Sequence, residues 1–268
     1  MGVDRRTRIG LRLLALGYLA VLLLVPVALI FYRTFEKGVG FVIDSISTPA
    51  AIHALFLTLE VAVITVPLNA AFGVLAALAL VRGRFPGKRL LDALIDLPFA
   101  ISPVVIGLSL LLLYGRTGWF GPALADAGVQ IVFCVPGIVI ATVFVSMPFV
   151  AREVAPVLEE IGEEQEQAAA TLGANAWQTF WRVTLPAIRW GLAYGVVLST
   201  ARAIGEFGAV SVVSGKIAGE TETLTLLVEK RFQNFDLAGA YAASVLLALI
   251  ALATLLAMSL LGARRSQP

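Results

Sequence analysis

Six apolar runs, at 13–32, 61–81, 97–115, 127–151, 190–215 and 237–263, dominate the chain, and only the fifth contains a charged residue. Each is about as long as the ~20 helical residues needed to cross a hydrocarbon core of about 30 Å. Backbone groups in lipid must be satisfied within the segment, and no run alternates polar with apolar residues. Helices are therefore required and a β-barrel is excluded. The pattern predicts an all-α integral membrane protein of about six transmembrane helices, without a repeat, a low-complexity tract or a soluble domain. Arg5, Arg6 and Arg8 precede the first run as in a secretory leader, but its length and the lack of a small-x-small cleavage site predict a retained helix.

Composition agrees: 59% of the 268 residues are apolar and 14% charged, with a mean hydropathy of +0.91, outside the range of soluble domains. The charge is segregated. Thirteen Lys and Arg fall in the segments 1–12, 82–96, 152–189 and 264–268, and six in the alternate loops, which predicts cytoplasmic N- and C-termini. Pro26, Pro67, Pro98, Pro103, Pro136 and Pro148 lie inside the runs, where each removes a helical hydrogen bond and favours a kink.

Chemistry is sparse. A single cysteine, Cys134, and a single histidine, His53, allow no intrachain disulfide and no His/Cys cluster for a metal. Cys134 reads as packing and His53 as an interfacial polar residue; Trp119, Phe120 and Trp190 suit a membrane interface. The spans hold no nucleophile paired with a base, so no catalytic residue is predicted. Gly87-Lys88 and Gly215-Lys216 lack the first glycine and the following hydroxyl residue of a P-loop, so ATP hydrolysis is not expected of this chain.

Arg202 and Glu206 are the charges inside the fifth run, four residues apart on one face of the expected helix. Charge at bilayer depth is costly and marks function by default. Two readings stay open: a mutually neutralising pair, or a lining or gate of an anion route in which Arg202 attracts and Glu206 repels.

The largest polar segment, 152–189, has helical periodicity. Val157, Leu158, Ile161, Gln165, Ala168, Ala169 and Leu172 keep to one face, and Glu159, Glu160, Glu163, Glu164 and Glu166 mostly to the other. Gly173 is placed to end this helix in a left-handed turn. Asn175 and Gln178 form a capping-box pattern that opens a second short helix presenting Trp177, Phe180 and Trp181. Such a face, outside any core of its own, predicts a docking partner.

These residues resemble the loop pattern of ABC importer permeases: Glu-Ala-Ala, three residues, Gly, nine residues, Ile, one residue, Leu-Pro. Gln167, Ala168, Ala169, Gly173, Val183, Leu185 and Pro186 stand at the same spacings, with Gln for the leading Glu and Val for Ile. The resemblance implies a type I importer permease fold, with a permease domain at 54–262 after an N-terminal segment, 1–53, and before a tail, 263–268. It implies coupling helices before the fifth span that grip an ATPase. There Ala168 and Ala169 allow close approach, Gly173 turns the chain and Pro186 starts the next helix. An ion pair made by the family's leading acid is lost unless Glu166 supplies it.

More narrowly, DLPFAISPVVIGL from Asp96, QIVFCVPGIV from Gln130, WQTFWRVTLP from Trp177 and ARAIGEFGAVSVVSG from Ala201 resemble the W-type permease subunits of sulfate/thiosulfate importers. GETET from Gly219 departs from that pattern by placing Glu222 at an Asn position. The resemblance implies a bacterial cell membrane location, an ATPase homodimer that binds ATP and Mg, and a second, T-type permease. An extracytoplasmic sulfate-binding protein would deliver the anion, with no cofactor on this chain and no nucleic acid. A molybdate or tungstate permease and a secondary anion transporter stay open as alternatives.

Overall fold

The computed structural model describes residues 5–263, and every regular element among them is helical. Arg264 and Arg265, which entered the loop count, and the tail 264–268 lie outside the described residues. In chain order the helices are α1 (Arg5–Phe35), α2 (Val39–Ile46), α3 (Pro49–Arg82), α4 (Lys88–Ala100), α5 (Pro103–Tyr114), α6 (Gly121–Asp126) and α7 (Val135–Ile161). Then follow α8 (Glu164–Thr171), α9 (Ala176–Thr179), α10 (Leu185–Ile204), α11 (Val210–Val213), α12 (Leu224–Gln233) and α13 (Leu237–Ala263).

Four of them are long and apolar enough to cross a membrane, over Gly10–Phe35, Pro49–Arg82, Val135–Ile161 and Leu237–Thr254. The third and fifth predicted spans differ from expectation. Residues 97–115 are divided between α4 and α5, which together have the apolarity of one span but meet at 111°. Pro103 disfavours helical backbone at Ser102 and offers no N–H, so the chain turns there. Residues 190–215 do not make one helix either: α10 stops at Ile204, Gly205 follows it, and α11 is a separate turn. Length and apolarity thus give four spans, or five with the bent pair, rather than six. Arg202 consequently lies in the last turn of α10, where a cation complements the helix dipole, and Glu206 lies beyond the helix rather than on its face.

The prolines divide the same way. Pro26, Pro67, Pro98 and Pro148 are inside helices. Pro103 and Pro136 instead stand in the first turns of α5 and α7, where the missing N–H has no partner to lose.

The centre of the molecule is α3, α7 and α10. Val74, Ala77, Val150, Val154, Leu158 and Ile188 form a buried cluster among them. Small residues allow the approach: a Cβ on Gly195 would lie 2.8 Å from the Val150 Cα, and one on Gly73 2.5 Å from the Val150 side chain. Fully buried Asn69 crosses this seam, its Nδ2 donating to the Ser146 Oγ at 2.7 Å and to the Ser199 Oγ at 3.4 Å. α12 and α13 pack beside this trio, while α1 leans on α13 and α2 and leaves most of its apolar surface uncovered.

Candidate coupling site and buried ion pairs

The amphipathic helix expected across 157–172 is two helices. α7 runs past its apolar stretch to Ile161, Gly162 takes a φ of +70°, and α8 begins anew at Glu164. A left-handed residue breaks the 3.6-residue register, so the expected common face does not form. Leu158 is in the core, whereas Ala168 is exposed and Leu172 is 89% exposed.

Gly173 adopts a φ of +87° at the end of α8, and the Ala174 N–H reaches back to the Ala169 carbonyl at 3.0 Å, as the left-handed cap requires. The capping box is present: Asn175 Oδ1 accepts the Gln178 N–H at 2.9 Å, and Gln178 Oε1 accepts the Asn175 N–H at 3.0 Å. Pro186 stands in the first turn of α10, as expected, but that helix is a continuation rather than a new start. α9 passes through a π-helical turn, Phe180–Thr184, directly into α10, with the Leu185 N–H bonded to the Phe180 carbonyl. A wider turn is a standard way to carry a helix past a residue that lacks a donor.

The residues expected to dock a partner are therefore split by depth. Trp177 is 70% and Trp181 49% exposed, with ring centroids 5.4 Å apart, while Phe180 and Leu185 pack against the Leu158 and Ile188 cluster. Gln167, Ala168 and Pro186 are exposed; Ala169 and Val183 are half-buried. Gln167 donates to Glu163 on the preceding turn at 3.4 Å.

The acid that turns inward is Glu166. One carboxylate oxygen meets the Arg82 Nε at 3.0 Å, and the other accepts the Thr184 hydroxyl at 2.8 Å. Arg82 also donates to the Leu158 carbonyl at 3.1 Å and to the Gly162 carbonyl at 2.5 Å.

Arg202 and Glu206 do form an ion pair, at 2.9 Å, with the Glu206 side chain 1% and the Arg202 side chain 35% exposed. Glu206 has a second task, since its Oε1 accepts the Ala209 N–H at 2.9 Å and holds the turn after α10. Its carbonyl receives the Thr225 hydroxyl at 2.9 Å, tying α12 to the same turn.

Two clusters are not anticipated by the sequence. Buried Glu222 pairs with Lys230 at 2.9 Å, so the departure at the Asn position is an internal ion pair of the 214–230 region. Arg152 reaches both Asp92 at 2.6 Å and Asp96 at 2.7 Å, beside a cavity of about 560 Å³ edged by Lys88, Arg89 and Glu159. The four-residue spacing of Asp92 and Asp96 was a usable signal, because it places both on one helix face.

Residues 69–267 match the family described as binding-protein-dependent transport system inner membrane component. The chain is 55% identical over 251 residues to the sulfate transport system permease protein CysW of Synechocystis sp., covering 94% of this chain and 91% of that one. It is 42% identical over 235 residues to the sulfate transport system permease protein CysT of Escherichia coli K12, covering 87% and 85%. The fold is similar, with a TM-score of 0.80 at 18% identity and 98% coverage of both chains, to the crystal structure of a bacterial ABC transporter involved in the import of the acidic polysaccharide alginate.

Proposed function

The chain belongs to the binding-protein-dependent transport system inner membrane component family, and from that premise we propose that it is the W-type permease subunit of an ATP-driven sulfate/thiosulfate importer. The observation that carries this reading is the 55% identity with a sulfate permease along 94% of the chain, joined to a docking segment of the right spacing and exposure. The lower identity to a T-type sulfate permease supports a heterodimer in which this chain is the W-type partner.

The subunit sits in the bacterial cell membrane with both termini cytoplasmic, in keeping with its excess of Lys and Arg on that side. Six crossings follow if the bent α4–α5 pair and α10 each traverse the bilayer within the assembled complex. An external binding protein delivers the anion between the two permeases. ATP and Mg bind a homodimer of separate ATPase chains, which close on the segment 152–189 around Gln167, Ala168, Ala169, Gly173, Val183, Leu185 and Pro186. In this reading Arg202 and Glu206 are first a structural pair: a Glu206 already ion-paired with Arg202 and hydrogen-bonded by the Ala209 N–H repels a dianion less than a bare carboxylate.

The test is uptake of labelled sulfate by a strain lacking its W-type permease and supplied with this gene and its partners. Restored sulfate uptake with no gain in molybdate uptake is expected. Molybdate uptake without sulfate would assign the chain to the other tetraoxyanion.

A further inference from the structure

We propose that Glu166 and Arg82 form a latch that makes the docking segment move as one body with the bundle. The inference rests on the reading of 152–189 as the ATPase dock.

α8 is bounded by Gly162, with a φ of +70°, and by Gly173, with a φ of +87°. Glycine is the residue with the widest backbone freedom, so the backbone alone holds α8 by two soft joints. What crosses from α8 into the bundle is the Glu166 carboxylate. It meets Arg82, the last residue of α3, at 3.0 Å and Thr184, in the turn that leads to α10, at 2.8 Å. The same guanidinium covers the Leu158 and Gly162 carbonyls, groups that the end of α7 leaves without helical partners. One ion pair therefore touches the ends of α3, α7, α8 and the start of α10. Both carboxylate oxygens and all three guanidinium nitrogens are engaged, and the side chains are only 22% and 17% exposed. That geometry is stiffer than a solvent-exposed pair, which holds its two side chains loosely. Gln167 lies on the outer side of the same helix and bonds within it.

The experiment uses the full complex in liposomes with binding protein, sulfate and ATP, and reads sulfate imported per ATP hydrolysed. Glu166→Gln and Arg82→Gln are each expected to lower that ratio by at least about five-fold, the low end of a site-to-site coupling, while hydrolysis continues. The double variant is expected to be no worse than Arg82→Gln, because both changes cut one link. A wild-type ratio in Glu166→Gln, or losses that multiply in the double variant, overturns the latch. Variants that lose the ATPase during purification but keep the second permease support it, since the dock is then misplaced on an intact bundle. Loss of both partners overturns it as a general folding role. A wild-type complex that imports no sulfate refutes the proposed function instead, and the latch is then decided by the co-purification pattern.

Discussion

At position 173 the backbone stands at a φ of +87°, where an L side chain costs about 1–2 kcal/mol. Gly173→Leu is expected to tilt the proposed docking helices and reduce the ATPase recovered with the permease in mild detergent. Gln167→Glu, on an exposed face, is expected to leave sulfate uptake nearly unchanged; the opposite ranking of these two variants contradicts the dock described above. Breaking the Arg202–Glu206 pair is asymmetric. Arg202→Gln leaves a carboxylate that is 1% exposed without its cation, a loss expected to cost about 2–3 kcal/mol after discounting the half-open arginine. Glu206→Gln keeps an acceptor for the Ala209 N–H and leaves the charge on the less buried partner, whose side chain is 35% exposed, so it is expected to cost less. Thermal unfolding of the two variants in one detergent checks the order, and equal losses would contradict it. Asn69→Ala removes a tie among three helices worth about 1 kcal/mol and should lower the melting temperature measurably.

At the scale of elements, what could be read from the sequence was what is local. The apolar run 237–263 is α13 residue for residue, because nothing inside it offers the chain another conformation. Gly173 and the Asn175–Gln178 box were legible for the same reason, since cap and capped groups lie within four residues. Asn175→Ala is expected to cost about 1 kcal/mol of helix-start stability, seen as faster amide exchange across Ala176–Thr179. Helix ends differ from the apolar runs where charged residues continue a helix instead of ending it. Arg152 and Glu153 end an apolar run, yet both are adequate helix formers, and α7 continues to Ile161. Asp92 and Asp96 likewise hid the first half of α4, whose charges are spent on Arg152. Contacts between distant helices were illegible: Arg82 and Glu166 are 84 positions apart, Asn69 and Ser199 130, and one sequence carries no register between helices.

For the whole molecule, membrane class follows from composition, whereas the anion comes only through resemblance to other permeases, since no single residue here spells sulfate. Orientation is directly testable. In a Cys134→Ser background, Ile217→Cys is expected to react with a membrane-impermeant maleimide added to spheroplasts, and Glu164→Cys to react only after the membrane is opened; reversed labelling would invert the topology. The continuous passage from α9 through the π turn into α10 has a mechanical side. From Ala176 to Ile204 the chain is helical without a break, a contour of about 40 Å at ~1.5 Å per residue, with the exposed Trp177 near one tip and Arg202 near the other. An unbroken helix that moves as a unit is a lever: a pivot of about ten degrees near its middle swings each tip by about 3–4 Å over that length. A modest displacement of the tryptophan end therefore arrives, with opposite sign, at the turn held by Glu206.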